Sequence, residues 1–469
     1  MAQHEVAFRA GELAVLAGGR LARGRPDVEL GRFAIDSRRV RPGDVFVAIR
    51  GERFDGHRFV AEALAKGAAG AIVADASVLP AAADARVSVV VDDTVAALQR
   101  IARAVRRRSG ARVVAITGSV GKTTTKELTA AVLGTRYRVL RNEGNLNNHI
   151  GLPLSLLELR RRPEAAVVEL GMNHAGEIRT LVRIAEPDFR VWTNVAEVHA
   201  AFFDSVEAIA DAKAEILDGA TPATELVVNA ADERAMARVA GFPGRTTTFG
   251  VTAAAAVRAT DVTDLGIDGT RSRLETPGGG GTLRTRLIGA GHVANALAAI
   301  AVALRFQVPL ETILATVATF EAQPRRGEVA RLSTGVTVVD DSYNSSPAAL
   351  LSTLRSVGVD RSHARRVAVL GEMLELGERA EALHRACGAA AAEAGFTRIA
   401  AVGGAPAGAL AAGALAAGLP HSAVTTWATS AEAAPAVSAL VQAGDLVLVK
   451  GSRGVGTDRI VDRLKADWA

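Results

Sequence analysis

The sequence predicts a three-domain α/β protein: a small α/β domain followed by two doubly wound α/β domains. The 469 residues exceed one ordinary core and suggest about three domains at roughly 150 residues each. Short apolar runs rich in β-branched residues alternate with helical patterns, as in parallel sheets covered on both faces. The pattern changes near residues 92 and 323, which divides the chain into 1–92, 93–322 and 323–469.

The first segment opens with RFAIDSRRV, turns at Arg41-Pro42-Gly43-Asp44 and continues as DVFVAIRG. A helical pattern, HRFVAEALAKG, precedes the buried-strand run AAGAIVAD and then VSVVV, which stops at Asp92-Asp93. The helix TVAALQRIARAVRRR leads into the second segment, where ARVVAITG, YRVL, AAVVELG, FRVWTNV and ELVVNA read as strands between helices. Residues 251–288 carry β-rich pieces around Gly278–Gly281 and predict an antiparallel appendage. Val293, Leu297, Ile300 and Leu304 then share one helical face, and another helix covers about 310–320. In the third segment the strands GVTVVDDS, RRVAVLG, RIAAVGG and DLVLVKG alternate with helices to the C-terminus, which makes a second doubly wound unit.

Half of the residues are hydrophobic (49%) and 22% are charged, values that exclude a mainly disordered chain. No stretch reads as a membrane span; the longest run without Asp, Glu, Lys or Arg, 399–431, is interrupted by Pro406, Pro420 and His421. The N-terminus lacks the basic region and apolar core of a signal peptide. The single cysteine, Cys387, excludes an internal disulfide framework and a cysteine-based metal cluster. A cytoplasmic monomer is the expectation.

Lys plus Arg number 55 against 50 Asp plus Glu, a net charge of +5. That excess is too small to argue for nucleic acid. The clusters Arg106–Arg108 and Arg160–Arg162 end helical patterns, where cations complement the helix dipole. Lysine usage is more informative. Only six occur (Lys66, Lys122, Lys126, Lys213, Lys450 and Lys465), against 49 arginines. A chain that uses Arg for generic cations keeps Lys where a compact ammonium or a titratable amine is needed. Chance survival accounts for Lys66 and Lys465.

The strongest local signal is VVAITGSVGKTTTKEL, residues 113–128. An apolar strand enters a glycine-containing turn, then Lys-Thr, then a helix. Gly118 and Gly121 let the backbone N–H groups of Ser119, Val120 and their neighbours curl around phosphate oxygens. The helix N-terminus bearing Lys122, Thr123 and Thr124 faces the same anion. Lys122 can reach terminal phosphates, and the Thr123 hydroxyl can ligate Mg²⁺. Lys126, one helical turn on, can be read as merely a surface cation.

Glu169 ends a buried strand, where ligands of parallel sheets gather, and suits Mg²⁺ directly or through water. His174 reads as substrate-facing or structural. Thr193-Asn194 end the next strand, and His199 follows in the loop, where imidazole can bind a divalent cation. Lys213 lies in the amphipathic SVEAIADAKAEIL. It is either a surface lysine in helical salt bridges or an amine that takes up CO₂, becoming an anionic oxygen ligand.

TGSVGKTTTKE, GNLNNHIGLP, VELGMNHAGEI, TNVAEVHAAFF with AKAEI, GHVANALAAIAVA, PRRGE, DDSYNSSP, LGEMLELG and VKGSRG occur in this order. Together with AIDSRRVRPGDVFVAIRGERFDGHRFV near the N-terminus, this ordered set resembles the Mur ligase family over nearly the whole chain. DDSYNSSP and LGEMLELG are similar to the members that add a dipeptide. Ser345-Ser346 stand where that family often has Ala-Asn.

The resemblance implies a uridine-nucleotide domain, a central phosphate-loop ATPase domain and a C-terminal Rossmann-like domain that closes over ATP. It implies ATP-dependent amide-bond formation between UDP-N-acetylmuramoyl-tripeptide and D-alanyl-D-alanine in peptidoglycan precursor synthesis, through an acyl phosphate. Lys122 would contact the ATP phosphates, Thr123 and Glu169 would hold one Mg²⁺, and His199 and carbamylated Lys213 a second. Asn295 would contact the adenine, Arg326 the γ-phosphate and Asp341 the ribose, with Asn344 in the same loop. Ser37 and Arg38 would lie near the uridine diphosphate, Asn145, Asn147 and Asn148 along the sugar-peptide channel, and Lys450 near the dipeptide. Related amide ligases such as folylpolyglutamate synthetase lack the N-terminal domain. A nucleotide-controlled switch would hydrolyse ATP without an amine acceptor.

Overall fold

Three open sheets, each built chiefly from parallel strands, follow one another along the chain in the computed structural model, which describes residues 5–51, 54–81, 86–197 and 203–469. The first has five strands in the order Gly19–Arg23, Val87–Val91, Gly70–Val73, Val45–Val47 and Phe33–Ala34. Its first pair is antiparallel and the others are parallel. Val45, Val47, Ile72 and Val89 are buried, as expected of short β-branched strands covered on both faces.

The helix Thr94–Ser109 links this unit to the next. The Asp93 carboxylate caps it by accepting from the Val95 and Ala96 N–H groups, and Gly110 ends it at φ 74°. Its basic last turn is engaged internally. Arg106 donates to the Ala185 and Glu186 carbonyls and to Asp188, Arg107 pairs with Glu186, and Arg108 pairs with Glu12.

The central sheet has nine strands, with Arg112–Thr117 between Ala165–Glu169 and Phe189–Trp192. Glu169 lies in register with Ile116, and Trp192 with Thr117, so three neighbouring strands end together and open a crevice at their carboxyl ends. The expected antiparallel appendage is an extension of this same sheet. Val257–Asp264 pairs in parallel with Arg245–Gly250, and the antiparallel strands Thr270–Thr276 and Gly279–Thr285 complete the edge. The hairpin turns at Pro277-Gly278, and Gly279–Gly281 belong to the strand.

The helix Gly291–Arg305 packs on the helix Lys122–Gly134 and on the sheet. Ala298, Ala299, Ala301 and Ala303 are as deeply buried as Val293, Leu297 and Ile300. The helix is therefore enclosed on more than the single face read from its periodicity.

The third sheet has six strands in the order Glu328–Arg331, Thr337–Asp341, Leu446–Lys450, Arg366–Gly371, Arg398–Val402 and Val424–Trp427. Only the first pair is antiparallel. This unit meets the central one through Asp268–Arg331 at 2.8 Å and through an ion pair between Glu197 and Arg379. Among the described residues no helix is long and apolar enough to cross a membrane.

Candidate active site

The loop after Arg112–Thr117 is held in shape by the segment after the neighbouring strand Phe189–Trp192. Ser119 N–H donates to the Asn194 carbonyl at 3.0 Å, and Val120 N–H to Asn194 Oδ1 at 2.9 Å. Asn194 Nδ2 and Thr193 Oγ1 both donate to the Val120 carbonyl, and Ser119 Oγ donates to the Ala196 carbonyl. The glycines are required by close approach. A Cβ on Gly118 would lie 1.9 Å from Thr193 Oγ1, and one on Gly121 (φ 84°) would lie 2.2 Å from Asn295 Oδ1. We expect Gly118→Ala to weaken ADP binding by tenfold or more and to lower stability by about 1–3 kcal/mol. Calorimetric ADP titration and urea unfolding check the two effects.

Lys122 begins the helix Lys122–Gly134, and its Nζ donates to the Gly118 and Ser119 carbonyls at 2.8 and 3.2 Å. Burial pushes its pKa down, the Glu169 carboxylate opposes this, and the Arg326 guanidinium adds to the depression. Arg326, at the start of the third unit, has its guanidinium 3.8 Å above the Tyr343 ring. Thr124 is half-buried in the first helical turn.

Glu169 receives the Thr123 hydroxyl on Oε2 at 2.7 Å and Asn147 Nδ2 on Oε1 at 2.8 Å. The Thr123 hydroxyl and the Glu169 carboxylate supply oxygen ligands of the kind Mg²⁺ uses, beside a glycine-containing loop whose Ser119 and Val120 N–H groups, expected to face phosphate, are taken up by Asn194. The residues therefore fit a nucleotide–Mg²⁺ complex. Among the described residues no group of three or more His, Cys, Asp or Glu could hold a metal, so such an ion would depend on phosphate and water for its other ligands. His199 lies outside the described residues.

Lys213 is fully enclosed, and its Nζ lies 3.1 Å from the Gly118 carbonyl, the same oxygen that Lys122 contacts. Burial, and then the neighbouring Lys122 charge, hold its pKa well below the ordinary lysine value. The surface-salt-bridge reading of Lys213 is thereby overturned.

A second group forms where the C-terminal sheet meets the helix Gly291–Arg305. Lys450 Nζ donates to Asp341 Oδ2 at 2.6 Å and to the Asn344 carbonyl at 3.0 Å. Thus Asp341 and Lys450, assigned by resemblance to different ligands, are bonded to each other. Asn295 is buried beside Gly121, and its Nδ2 lies 3.2 Å from His292 Nδ1. Burial lowers the His292 pKa, Asp341 opposes that and Lys450 adds to it. A cavity of about 460 Å³ lies in the same C-terminal unit, lined by Tyr343, Arg453 and Arg459 among others.

The remaining residues are more dispersed. Asn148 Oδ1 accepts from the Ile150 and Gly151 N–H groups, and Asn145 is exposed in the same loop. Ser37 and Arg38 sit in the first unit. Arg38 holds the Asp36 carboxyl down to about 2, and Lys66 Nζ donates to the Ser37 carbonyl at 3.1 Å. His174 is exposed, with its backbone N–H on Glu177.

Asn142, Asn194 and His292 carry no assigned role in the sequence reading. The signals were present: Asn194 and Asn142 end strands, and His292 precedes Asn295 by one helical turn.

Comparison with known proteins gives three family matches in chain order: "Mur ligase family, catalytic domain" over residues 32–106, "Mur ligase middle domain" over 116–303 and "Mur ligase, glutamate ligase domain" over 325–453. A curated UDP-N-acetylmuramoyl-tripeptide–D-alanyl-D-alanine ligase of Bacillus subtilis is 35% identical over 431 residues, 92% of each chain. The chain belongs to the Mur ligase family.

A crystal structure of MurF from Acinetobacter baumannii superposes on this Mur ligase with a TM-score of 0.87 at 31% identity, covering 99% of this chain and all of the other. The MurF ligase of Thermotoga maritima in complex with ADP gives 0.81 at 28% identity, covering 93% and 97%. The three-part α/β architecture of this Mur ligase is that of these structures.

Proposed function

We propose that this chain is the ATP-dependent ligase that joins D-alanyl-D-alanine to UDP-N-acetylmuramoyl-tripeptide. The observation that carries this reading is the 35% identity to a curated ligase of that name over 92% of both chains. The Arg326 charge bears on the buried Lys122 amine, as expected if both serve one phosphate group.

A carboxylate is a poor acyl donor because its leaving group would be oxide. In this account it attacks the γ-phosphorus of ATP, ADP leaves, and an acyl phosphate forms. The dipeptide amine then attacks the acyl carbon, and the tetrahedral intermediate expels phosphate. The first step brings two anions together. Lys122, the loop N–H groups and Arg326 offset that repulsion and stabilise the charge spreading over the phosphoryl oxygens.

Mg²⁺, when bound, supplies further neutralisation of phosphate charge; Thr123 and Glu169 would hold one ion, and Lys213 as a carbamate with His199 a second. Asn295 and Asp341 would receive the adenosine, with Asn344 beside them. Ser37 and Arg38 would receive the uridine diphosphate, and Asn145, Asn147 and Asn148 the sugar-peptide. Lys450 and the Arg453 cavity would receive the dipeptide. The domain junction excludes water from the acyl phosphate. Residues 1–92, 93–322 and 323–469 serve as the uridine-nucleotide, ATP and dipeptide domains, acting as a cytoplasmic monomer.

The carbamate follows from charge. Lys122 and Lys213 converge on one carbonyl oxygen, so two ammonium groups would repel there. CO₂ adds to the neutral amine to give a carbamate and one released proton, which turns repulsion of Lys122 into attraction.

Phosphate release measured with each substrate omitted in turn tests the function. We expect ADP and phosphate to appear only when the nucleotide-linked tripeptide and the dipeptide are both present. Equal release without the dipeptide would instead indicate a nucleotide-controlled switch.

A further inference from the structure

The helix that carries Lys122 and Thr123 holds another lysine, Lys126, with no exposed surface. This overturns its reading as a surface cation. Enclosing an ammonium costs several kcal/mol even after relaxation, so its partners matter. Lys126 Nζ donates to the Asn142 carbonyl at 2.6 Å and pairs with Glu127 Oε1 at 3.0 Å. The other Glu127 oxygen pairs with Arg141 Nε at 3.0 Å.

Asn142 lies where one strand stops and its neighbour runs on. The parallel ladder between Val139–Arg141 and Ala165–Glu169 ends at Arg141 opposite Val167. Beyond it, the Asn142 side chain replaces the missing strand: Oδ1 accepts from the Glu169 N–H at 3.0 Å, and Nδ2 donates to the Leu146 carbonyl at 3.1 Å. The next residue in that loop, Asn147, returns to Glu169 through its side chain, and its carbonyl accepts from Gly171 N–H at 2.9 Å. Gly171 allows this approach, because a Cβ there would lie 2.8 Å from Asn147 Cγ. Thr123 closes the circuit by donating to the second Glu169 oxygen. One helix thus fixes the Glu169 carboxylate from both ends, through Thr123 directly and through Lys126 by way of Asn142 and the loop.

We propose that Lys126 is a positioning residue that sets the Glu169 carboxylate for the nucleotide-bound metal by orienting Asn142. The proposal rests on the ligase reading above for the identity of the ligand, ADP with Mg²⁺. Buried ion pairs contribute little net stability compared with apolar groups of similar size, so stability alone does not account for enclosing Lys126. Groups that orient metal ligands typically change metal affinity by about 10- to 100-fold when removed.

The test is calorimetric ADP binding to the full-length protein, with Mg²⁺ varied and with EDTA. Lys126→Met removes the donor to Asn142 and the pair with Glu127 Oε1, and leaves Glu127 paired with Arg141 through its other oxygen. We expect the Mg²⁺ needed for half-maximal enhancement of ADP binding to rise about tenfold, with ADP affinity in EDTA unchanged because Lys122 and its loop are intact. Asn142→Ala should give the same shift, and the double variant should be no worse than the larger single change. Asn142→Ala also carries the test if Lys126→Met fails to fold. An unchanged Mg²⁺ requirement, equal losses with and without Mg²⁺, or additive single effects would overturn the proposal. A wild-type protein that binds no ADP under either condition would overturn the ligase reading, and the proposal with it.

Discussion

Lys122→Ala is expected to lower kcat by roughly 10²- to 10³-fold, the scale for losing one charged donor at a developing oxyanion, while the protein stays folded. The fold is spared because Lys122 is half-buried at a helix start, and among the described residues its side chain bonds to two loop carbonyls that the retained Gly118 and Ser119 backbone keeps in place. The catalytic loss is large because Lys122 is the ammonium held at the Gly118 and Ser119 carbonyls of the phosphate loop. Lys122→Arg should recover little, since a planar guanidinium does not reproduce a compact ammonium held between the Gly118 and Ser119 carbonyls. Single-turnover phosphate release, read beside thermal unfolding of each variant, checks both statements.

Lys213→Ala has an effect of similar size, with a diagnostic rescue. The side chain is enclosed against Gly118, and burial and Lys122 hold its pKa well below the ordinary value. The amine is therefore more often the free base near neutrality than an exposed lysine is, and the free base is the form that adds CO₂. Because addition releases a proton, lowering the pH reverses it. Turnover of the wild type should fall as pH drops below neutral and recover in part with added bicarbonate.

Lys213→Ala should lose about 10²-fold or more in kcat, the upper part of the range for a metal-site ligand environment, and should respond to acetate or formate, which restore a carboxylate in the vacated space. An unaffected turnover rate, or a loss that neither acid repairs, contradicts the carbamate. Stability gives an independent sign. The unfolded chain binds more protons at this amine than the folded state does, so the uncarbamylated protein becomes more stable as pH rises between the depressed folded value and the ordinary lysine value. Lys213→Ala should remove that slope.

What could be read from sequence and what could not differ in range. The phosphate loop was legible because its parts are adjacent: strand, Gly118, Gly121, Lys122 and helix lie within one short stretch, and each residue type has a local reason to be there. The alternation of strands and helices likewise gave the two larger sheets. The tethers of the loop were not legible in the same way. Asn194 reaches Val120 and Asn142 reaches Glu169 only because parallel register places those strand ends side by side.

Lys126 was misread for the same reason. Helical spacing places it one turn from Lys122, but only the packing of the end of Val139–Arg141 decides that its face is interior. The antiparallel pieces after residue 251 were recognised as β structure. Their merger with the central sheet depends on a two-residue parallel contact between Arg245–Gly250 and Val257–Asp264, which no local pattern announces. The amines of Lys122, Lys126, Lys213 and Lys450 bond to backbone or side-chain oxygens, but so do those of Lys66 and Lys465; burial, which spacing does not announce, sets Lys126, Lys213 and Lys450 apart.

The most direct measurement follows the carboxylate oxygen of the donor. The nucleotide-linked tripeptide is prepared with an isotopic oxygen label in its reacting carboxylate and turned over once with ATP and D-alanyl-D-alanine, and the released phosphate is analysed by mass spectrometry. Activation as an acyl phosphate transfers one labelled oxygen to phosphate for each amide bond formed. Phosphate released without label while the amide accumulates would contradict the account.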